Sequence, residues 1–341
     1  MPGGEAAHLF TLTNRAGFEV SITNYGGIVT TIRVPDAEGR RVDVALGFDS
    51  LDAYLGGHPY FGAITGRVAG RLTHGEFTLD GRDYRLALNN PPNHLHGGLV
   101  GLDKRLWAVE SAGKNEKLKL TYFSPDGEEG YPGNVPLAVE YSVTENNELC
   151  IDYVATTDRS TLLNLTNHTY FNLAGEGCGD IRDHQLTIFA DRYTPTDEQM
   201  TLSGNSAPVD GRANDFREST RIGDRLAGLL NNHGDNYVLC CHGRVLSLAA
   251  RLLEPVSGRG LEVLTTEPCL QFYTGKFLDG SLVGKGGKRY GSHAGLCLEC
   301  QKFPAALGRP EFETTALRPG ETYRQTTIYR FTSENSSRTK P

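Results

Sequence analysis

Leu163-Asn-Leu-Thr-Asn-His-Thr-Tyr-Phe-Asn-Leu173 is the stretch on which the reading of the chain turns. In an extended backbone successive side chains point to opposite faces. Asn164, Thr166, His168, Tyr170 and Asn172 then share one face, and Leu163, Leu165, Phe171 and Leu173 the other. The apolar face asks for a core beneath it. The polar face has one titratable group, His168, and none of the Lys, Glu and Ser expected where a strand merely meets water. A row of amides, hydroxyls and an imidazole suits the wall of a groove for a polyhydroxylated ligand. A buried ladder that satisfies neighbouring backbone is the other reading of the same row.

Period-two alternation recurs on both sides of this segment. Phe18 to Val34 alternates around Tyr25-Gly26-Gly27, a bulge or turn. Glu76 to Leu86 reads as a hairpin about Asp80-Gly81, Leu137 to Val154 as one about Asn146-Asn147, and Val245 to Thr265 as one about Ser257-Gly258. Leu296–Gln301 and Tyr323–Phe331 are further strands. Helical spacing is scarce: Arg221–Leu230 fits one short helix and Ser50–Leu55 another turn. Closely spaced strands with Gly, Asn and Asp turns predict an antiparallel all-β protein. No Pro/Ser-rich linker or internal repeat divides it, so one domain over residues 1–332 is expected, with a polar, disordered tail over 333–341.

Composition narrows the function. A chain of 341 residues buries about three quarters of its unfolded surface and needs neither disulfide nor metal for stability. Glycine, 41 of 341 residues, again signals many turns. The net charge of −7 is interspersed, without the basic footprint of a nucleic-acid partner or a membrane anchor. Met1 to Phe10 has no apolar core of a signal peptide, and no run approaches a membrane span of ~20 residues. Seven scattered cysteines fit free thiols in a reducing compartment, so a cytoplasmic location is expected. The sequons at Asn164 and Asn167 are then accidental.

Two further segments carry candidate chemistry. Pro91-Pro-Asn-His-Leu-His-Gly-Gly98 puts His94 and His96 two apart, on one face if extended. A cupin-like metal centre would want Glu four or five residues later, where Val100 and Gly101 stand. Cys297-x-x-Cys300 lacks a second pair at zinc spacing, and Cys240-Cys241-His242 is too crowded for one tetrahedral ion, so no metal is expected. In Gly295-Leu-Cys-Leu-Glu-Cys-Gln301, Leu296, Leu298 and Cys300 face one way and Cys297, Glu299 and Gln301 the other. A Glu in so apolar a strand is costly to bury ionised; it is either a salt-bridged rim residue or a general base with raised pKa. Arg71, Asp235 and Gln271 are weaker signals taken singly. Together with His168, His96 and Glu299 they supply what a sugar site needs: bidentate donors and acceptors, an acid and a base. No dinucleotide loop, Walker loop or nucleophile elbow is present, which favours reactions that need no cofactor.

The motifs resemble those of the galactose mutarotase (aldose 1-epimerase) family. Asn-His-Leu-His-Gly-Gly at 93–98, Asn-Leu-Thr-Asn-His-Thr-Tyr-Phe-Asn-Leu at 164–173, Gln-Phe-Tyr-Thr-Gly at 271–275, Leu-Glu-Cys-Gln at 298–301 with Pro304, and Leu-Arg-Pro-Gly-Glu at 317–321 occur in family order. The resemblance implies a large antiparallel β-sandwich with an open sugar cleft, working on a monosaccharide without cofactor, as monomer or homodimer. It implies interconversion of the α and β anomers of D-galactose, D-glucose and similar aldoses. Carried over by position, Glu299 is the general base and His168 the general acid. His96, Arg71 and Gln271 bind sugar and position charge, Asn93 is a further substrate-binding residue, and Asp235 matches the substrate-binding Asp if one residue is deleted after it. Gly70 stands where the family usually has Asn, and Lys276 where relatives commonly have Asn. Two competing readings are a sugar-phosphate epimerase, for which Lys276 or Arg67 must reach a phosphate, and a catalytically silent carbohydrate-binding protein.

Overall fold

Short reversals at residues that tolerate positive φ join several neighbouring strands into hairpins. Asp80 and Gly81 take φ of 49° and 77°, as a tight hairpin turn requires, and join Glu76–Leu79 to Arg82–Arg85. Asn147 (φ 57°) lies between Val135–Val143 and Glu148–Ala155, and Gly258 (φ 69°) between Ser247–Glu254 and Arg259–Thr265. The computed structural model describes residues 4–36, 38–112, 116–198, 200, 204–240, 245–304 and 314–333. The expected tail, past Ser333, lies outside the described residues, as do Cys241 and His242.

The strands assemble into an all-β, antiparallel architecture. The larger sheet has nine strands in the order Ala108–Ala112, Lys117–Ser124, Val135–Val143, Glu148–Ala155, Tyr323–Ser333, Arg259–Thr265, Ser247–Glu254, Gln185–Ile188, Thr220–Arg221. A six-stranded sheet runs Tyr170–Phe171, Leu296–Gln301, Cys269–Tyr273, Asn236–Val238, Arg192–Thr194, Ala207–Pro208. Leu9–Thr13, Glu19–Thr23, Ile28–Pro35 and Arg41–Asp43 form a four-stranded sheet.

Inner faces of the two large sheets share one core: Ile151, Val263 and Tyr329 from the larger meet Phe272, Leu296 and Leu298 from the smaller. Each such side chain is worth about 1.5–3 kcal/mol relative to exposure. Two bonds pin the sheets across it, from Tyr329 Oη to the Leu298 carbonyl (3.1 Å) and from Gln325 Nε2 to that of Cys300 (3.0 Å). The alternation expected for Leu296–Gln301 therefore holds: Leu296, Leu298 and Cys300 enter this core, which leaves Cys297, Glu299 and Gln301 on the outer face.

Two expectations change. The helix expected over Arg221–Leu230 is five residues, Ile222–Leu226. Gly228, a poor helix residue, sits where a Cβ would come within 2.6 Å of the Ala213 Cβ, so the chain is drawn in there rather than continued as a helix. The other expected turn forms over Leu51–Leu55. Among the described residues no helix is long and apolar enough to cross a membrane.

The opening segment is buried on both faces rather than one. It pairs as a strand only at Thr166–Asn167, with Ile64–Thr65, and at Tyr170–Phe171, with Leu296 and Cys297. Buried backbone groups without ladder partners must find others, and the amides provide them. Asn164 Nδ2 donates to the carbonyls of Ala69 and Lys302 while its Oδ1 accepts from Lys302 N. Asn172 Nδ2 donates to the Ala294 carbonyl (2.9 Å), and Asn167 Nδ2 to that of Gly62 (2.8 Å). Asn164 and Asn172 of the polar row thus act as a backbone-satisfying ladder, with Asn167 beside them, and from the row only His168 and Tyr170 line the cleft.

Gly97 permits the close approach that places His96. Its φ is +89°, and a Cβ there would lie 1.6 Å from the Gly66 carbonyl oxygen. Gly97→Ala is expected to cost at least about 2 kcal/mol, from left-handed strain plus the clash, read as a lowered denaturant midpoint.

Candidate active site

The floor of the site is the outer face of the six-stranded sheet. Gln271 lies directly across from Glu299, and Asn236 across from Gln271, so one residue from each of three strands forms a polar row across the sheet. One step along the sheet, Tyr170 and Tyr273 both pair with Cys297. His168, two residues before Tyr170, leans over this floor, and its Nε2 lies 3.5 Å from Glu299 Oε1. Both side chains are almost fully buried, at 5% and 3% exposure.

Two loops make the walls. Arg71–Leu72 pairs with His94–Leu95, which brings Arg71 and His96 to the rim of the sheet. His94 and His96 do not share a face. His96 takes a left-handed φ of 50°, which breaks the alternation. His94 turns inward, with Nε2 against Tyr131 Oη (2.8 Å) and Nδ1 against the Ala87 carbonyl (2.7 Å). His96 instead faces the cleft, with Nδ1 accepting the Gly70 N–H at 3.2 Å. That bond leaves the proton of the neutral ring on Nε2. Gly70 itself has φ +76°, and a Cβ would meet Pro304 Cγ at 2.4 Å, so this position contributes its main chain alone.

The cleft so enclosed has a volume of about 490 Å³ and is lined by Arg71, His96, His168, Gln271 and Glu299 among others. This falls in the usual range for small-molecule sites. Asp235 lines a recess of about 30 Å³ that shares Gly70, Arg71, His233 and Gln271 with the cleft. Five of the expected residues therefore converge, and Asp235 sits at one end. Asn93 does not line the cleft. It is fully buried behind the loop, where its Oδ1 accepts from His74 N at 3.3 Å.

Sequence reading missed Asn90, whose Oδ1 accepts from Arg71 Nε at 3.0 Å, and the aromatic walls. Tyr60 stacks on His168 with centroids 5.7 Å apart, and His233 lies 4.7 Å from the Tyr273 ring beside Phe277. Asn90, Tyr60, His233 and Phe277 lie in loops outside the sequence motifs, whereas Tyr273 ends the strand Cys269–Tyr273, two residues after Gln271. Only the need of a sugar site for an aromatic face could have drawn attention to them.

Desolvation dominates the electrostatics. Burial raises Glu299 to about 8 against the opposing pull of Arg71. It lowers His168 to about 3, with the positive potentials of His58, His233 and Arg71 adding to the effect. His96 is held well below its ordinary value by burial, then by His168 and Arg71. Asp235 is pushed up to about 7 by burial, opposed by a hydrogen bond from Asn214 Nδ2. At this depth one proton therefore rests on Glu299 and the imidazole is neutral. The ligand atoms of His96, His168 and Glu299 lie within 4.8 Å of one another, as a metal would require, but the Arg71 charge acts on the same carboxylate.

Arg67, one of the two candidates for holding a phosphate, is committed elsewhere. Its guanidinium donates to Ser124 Oγ, to Thr161 Oγ1 and to the carbonyls of Ser124, Pro125 and Pro132. Neither it nor Lys276 lines the cleft.

The chain is similar to proteins of one kind throughout its length. Galactose mutarotase of Rattus norvegicus is 44% identical over 330 residues, covering 96% of this chain and 95% of that protein. Aldose 1-epimerase of Escherichia coli K12 is 34% identical over 340 residues, covering 98% and 97%. Among solved structures, an aldose epimerase homologue from C. elegans superposes with a TM-score of 0.90 at 30% identity, covering 97% of this chain and all of that one. The sequence pattern of the family described as "Aldose 1-epimerase" matches residues 8–330. By sequence and by fold, the chain belongs to the aldose 1-epimerase family.

Proposed function

We propose that this aldose 1-epimerase interconverts the α and β anomers of D-galactose, D-glucose and related aldoses, with Glu299 and His168 as its two proton carriers. The observation that carries this reading is the 3.5 Å approach of a buried imidazole Nε2 to a buried carboxyl oxygen in the floor of the cleft. Ring opening needs one acceptor, for the proton of the C1 hydroxyl, and one donor, for the ring oxygen. Glu299 as carboxylate takes the first proton while His168 as imidazolium delivers the second from Nε2. The C1–O5 electron pair leaves with the ring oxygen, and the O1–H pair becomes the second bond of the aldehyde. Rotation about C1–C2 presents the other carbonyl face, and reclosure runs both transfers backwards. Each carrier contributes on the order of 10²–10⁴ in rate.

Opening leaves a protonated Glu299 and a neutral His168, the very arrangement that burial favours. The site is thus electrostatically matched to the open-chain sugar. Arg71 works in the opposite sense, lowering the Glu299 pKa and so keeping the carboxylate accessible for the closed sugar. Arg71, His96, Gln271 and Asp235 bind the sugar hydroxyls in this scheme, with the Nε2–H of His96 as donor. The six described cysteines are free thiols, which supports a reducing, cytoplasmic setting.

Glu299→Gln is expected to lower turnover at least about a hundredfold while KM changes little. Neutral Gln mimics the protonated carboxyl already favoured there, so burial is undisturbed. Polarimetry of freshly dissolved α-D-galactose reads this, and an unchanged rate would remove Glu299 from the mechanism. The pH profile has a definite sign as well. Between His168 at about 3 and Glu299 at about 8 the pair holds one proton; above that range the proton is lost and no donor remains. kcat/KM is therefore expected to be flat near neutrality and to fall about tenfold per pH unit above about 8.

A further inference from the structure

His168 has two ring nitrogens, and the scheme above exchanges protons only at Nε2. The other, Nδ1, lies 3.5 Å from Cys297 Sγ. Neither partner can be lost by rotation of the ring. It stacks between Tyr60 (5.7 Å, interplanar 29°) and Tyr170 (5.1 Å, 27°), with the His96 ring set nearly perpendicular at 5.1 Å. Cys297 and Glu299 are two residues apart on one strand, so alternation sends both to the same face and one strand holds both ends of the imidazole. Cys297 is fully buried and does not line the cleft. Its thiol meets the ring and not the sugar.

We propose that Cys297 is a positioning residue for the epimerisation: its sulfur receives the Nδ1–H of His168 and so reserves Nε2 for proton exchange. This rests on the acid/base reading given under Proposed function. Imidazolium that gives up the Nε2 proton must keep the one on Nδ1. If neutral His168 carried its proton on Nε2 instead, that nitrogen would have no lone pair with which to take a proton back. Nδ1–H is therefore intact through the whole cycle, and the thiol neither gains nor loses a proton. Burial, reinforced by the Glu299 charge, holds the Cys297 thiol well above its ordinary range, so no thiolate forms beside the ring. A carboxylate in this position would stabilise the imidazolium, as it does in hydrolase triads. A neutral sulfur is a weak acceptor and orients the ring without that charge.

Nitrogen-15 NMR of His168 and polarimetric kinetics test the proposal on the wild type, Cys297→Ala and Cys297→Ser. The wild-type ring is expected to carry its proton on Nδ1. Cys297→Ala is expected to mix the two tautomers and to lower kcat about tenfold with KM within about twofold. Cys297→Ser supplies a hydroxyl acceptor and is expected to restore the Nδ1–H form with kcat within about threefold of wild type. A wild-type ring protonated on Nε2 overturns the proposal, and so does Cys297→Ala that keeps its kcat. Should Cys297→Ala fail to fold, the wild-type tautomer decides alone. Glu299→Gln separates the two levels. If it is inactive while Cys297→Ala is unimpaired, only the role of the thiol is lost; if it is fully active, the acid/base reading fails first.

Discussion

Withdrawing a carboxyl group and an imidazole from water side by side is the constraint around which the rest of this molecule is arranged. Neither charge is well solvated at that depth, so the pair keeps a single proton and stays neutral until something else enters. Glu299 at about 8 and His168 at about 3 are displaced in opposite directions by the same cause. Such displaced neighbours are what proton-transfer chemistry near neutral pH uses. The nearby Arg71 is half-buried, and its charge keeps the displacement of Glu299 from running further.

Geometry of this kind needs a floor that does not shift, and the sandwich provides it. The strand Leu296–Gln301 is buried along its whole length. Its inner face is packed in the main core, and two of its carbonyls are tied to Tyr329 and Gln325 of the opposing sheet. Its outer face then has no freedom but to present Cys297, Glu299 and Gln301 in fixed order. His168 comes from a segment with very little ladder of its own. There the asparagines at 164, 167 and 172 replace strand pairing with side-chain bonds to neighbouring main chain. The segment thus divides its side chains: the asparagines hold it still, and the imidazole meets Glu299.

Close approach of main chain to main chain completes the site. Gly97 lies so near Gly66 that no side chain fits, and this contact turns His96 toward the cleft while His94 goes to Tyr131. Gly70 presents its N–H to His96 Nδ1 and packs against Pro304, so the orientation of His96 draws on the main chain of residue 70 alone.

Alternation, turn residues and local composition were enough for the sequence to declare an all-β chain, its main hairpins, and the burial of Leu296, Leu298 and Cys300 opposite Glu299. These depend on neighbours two to ten residues away, where chain geometry dictates which side chains share a face. Family-ordered motifs singled out His168, Glu299, His96, Arg71 and Gln271. Only the tertiary structure decided that these five meet in one cleft, that Asn93 turns away, and that Tyr60, Asn90 and His233 join them. It also decided that Arg67 is a structural cation and that Asn164 and Asn172 of the polar row serve neighbouring backbone. Each of those outcomes is set by contacts between distant segments and by how far water is excluded, and neither quantity is written in the local pattern of residues.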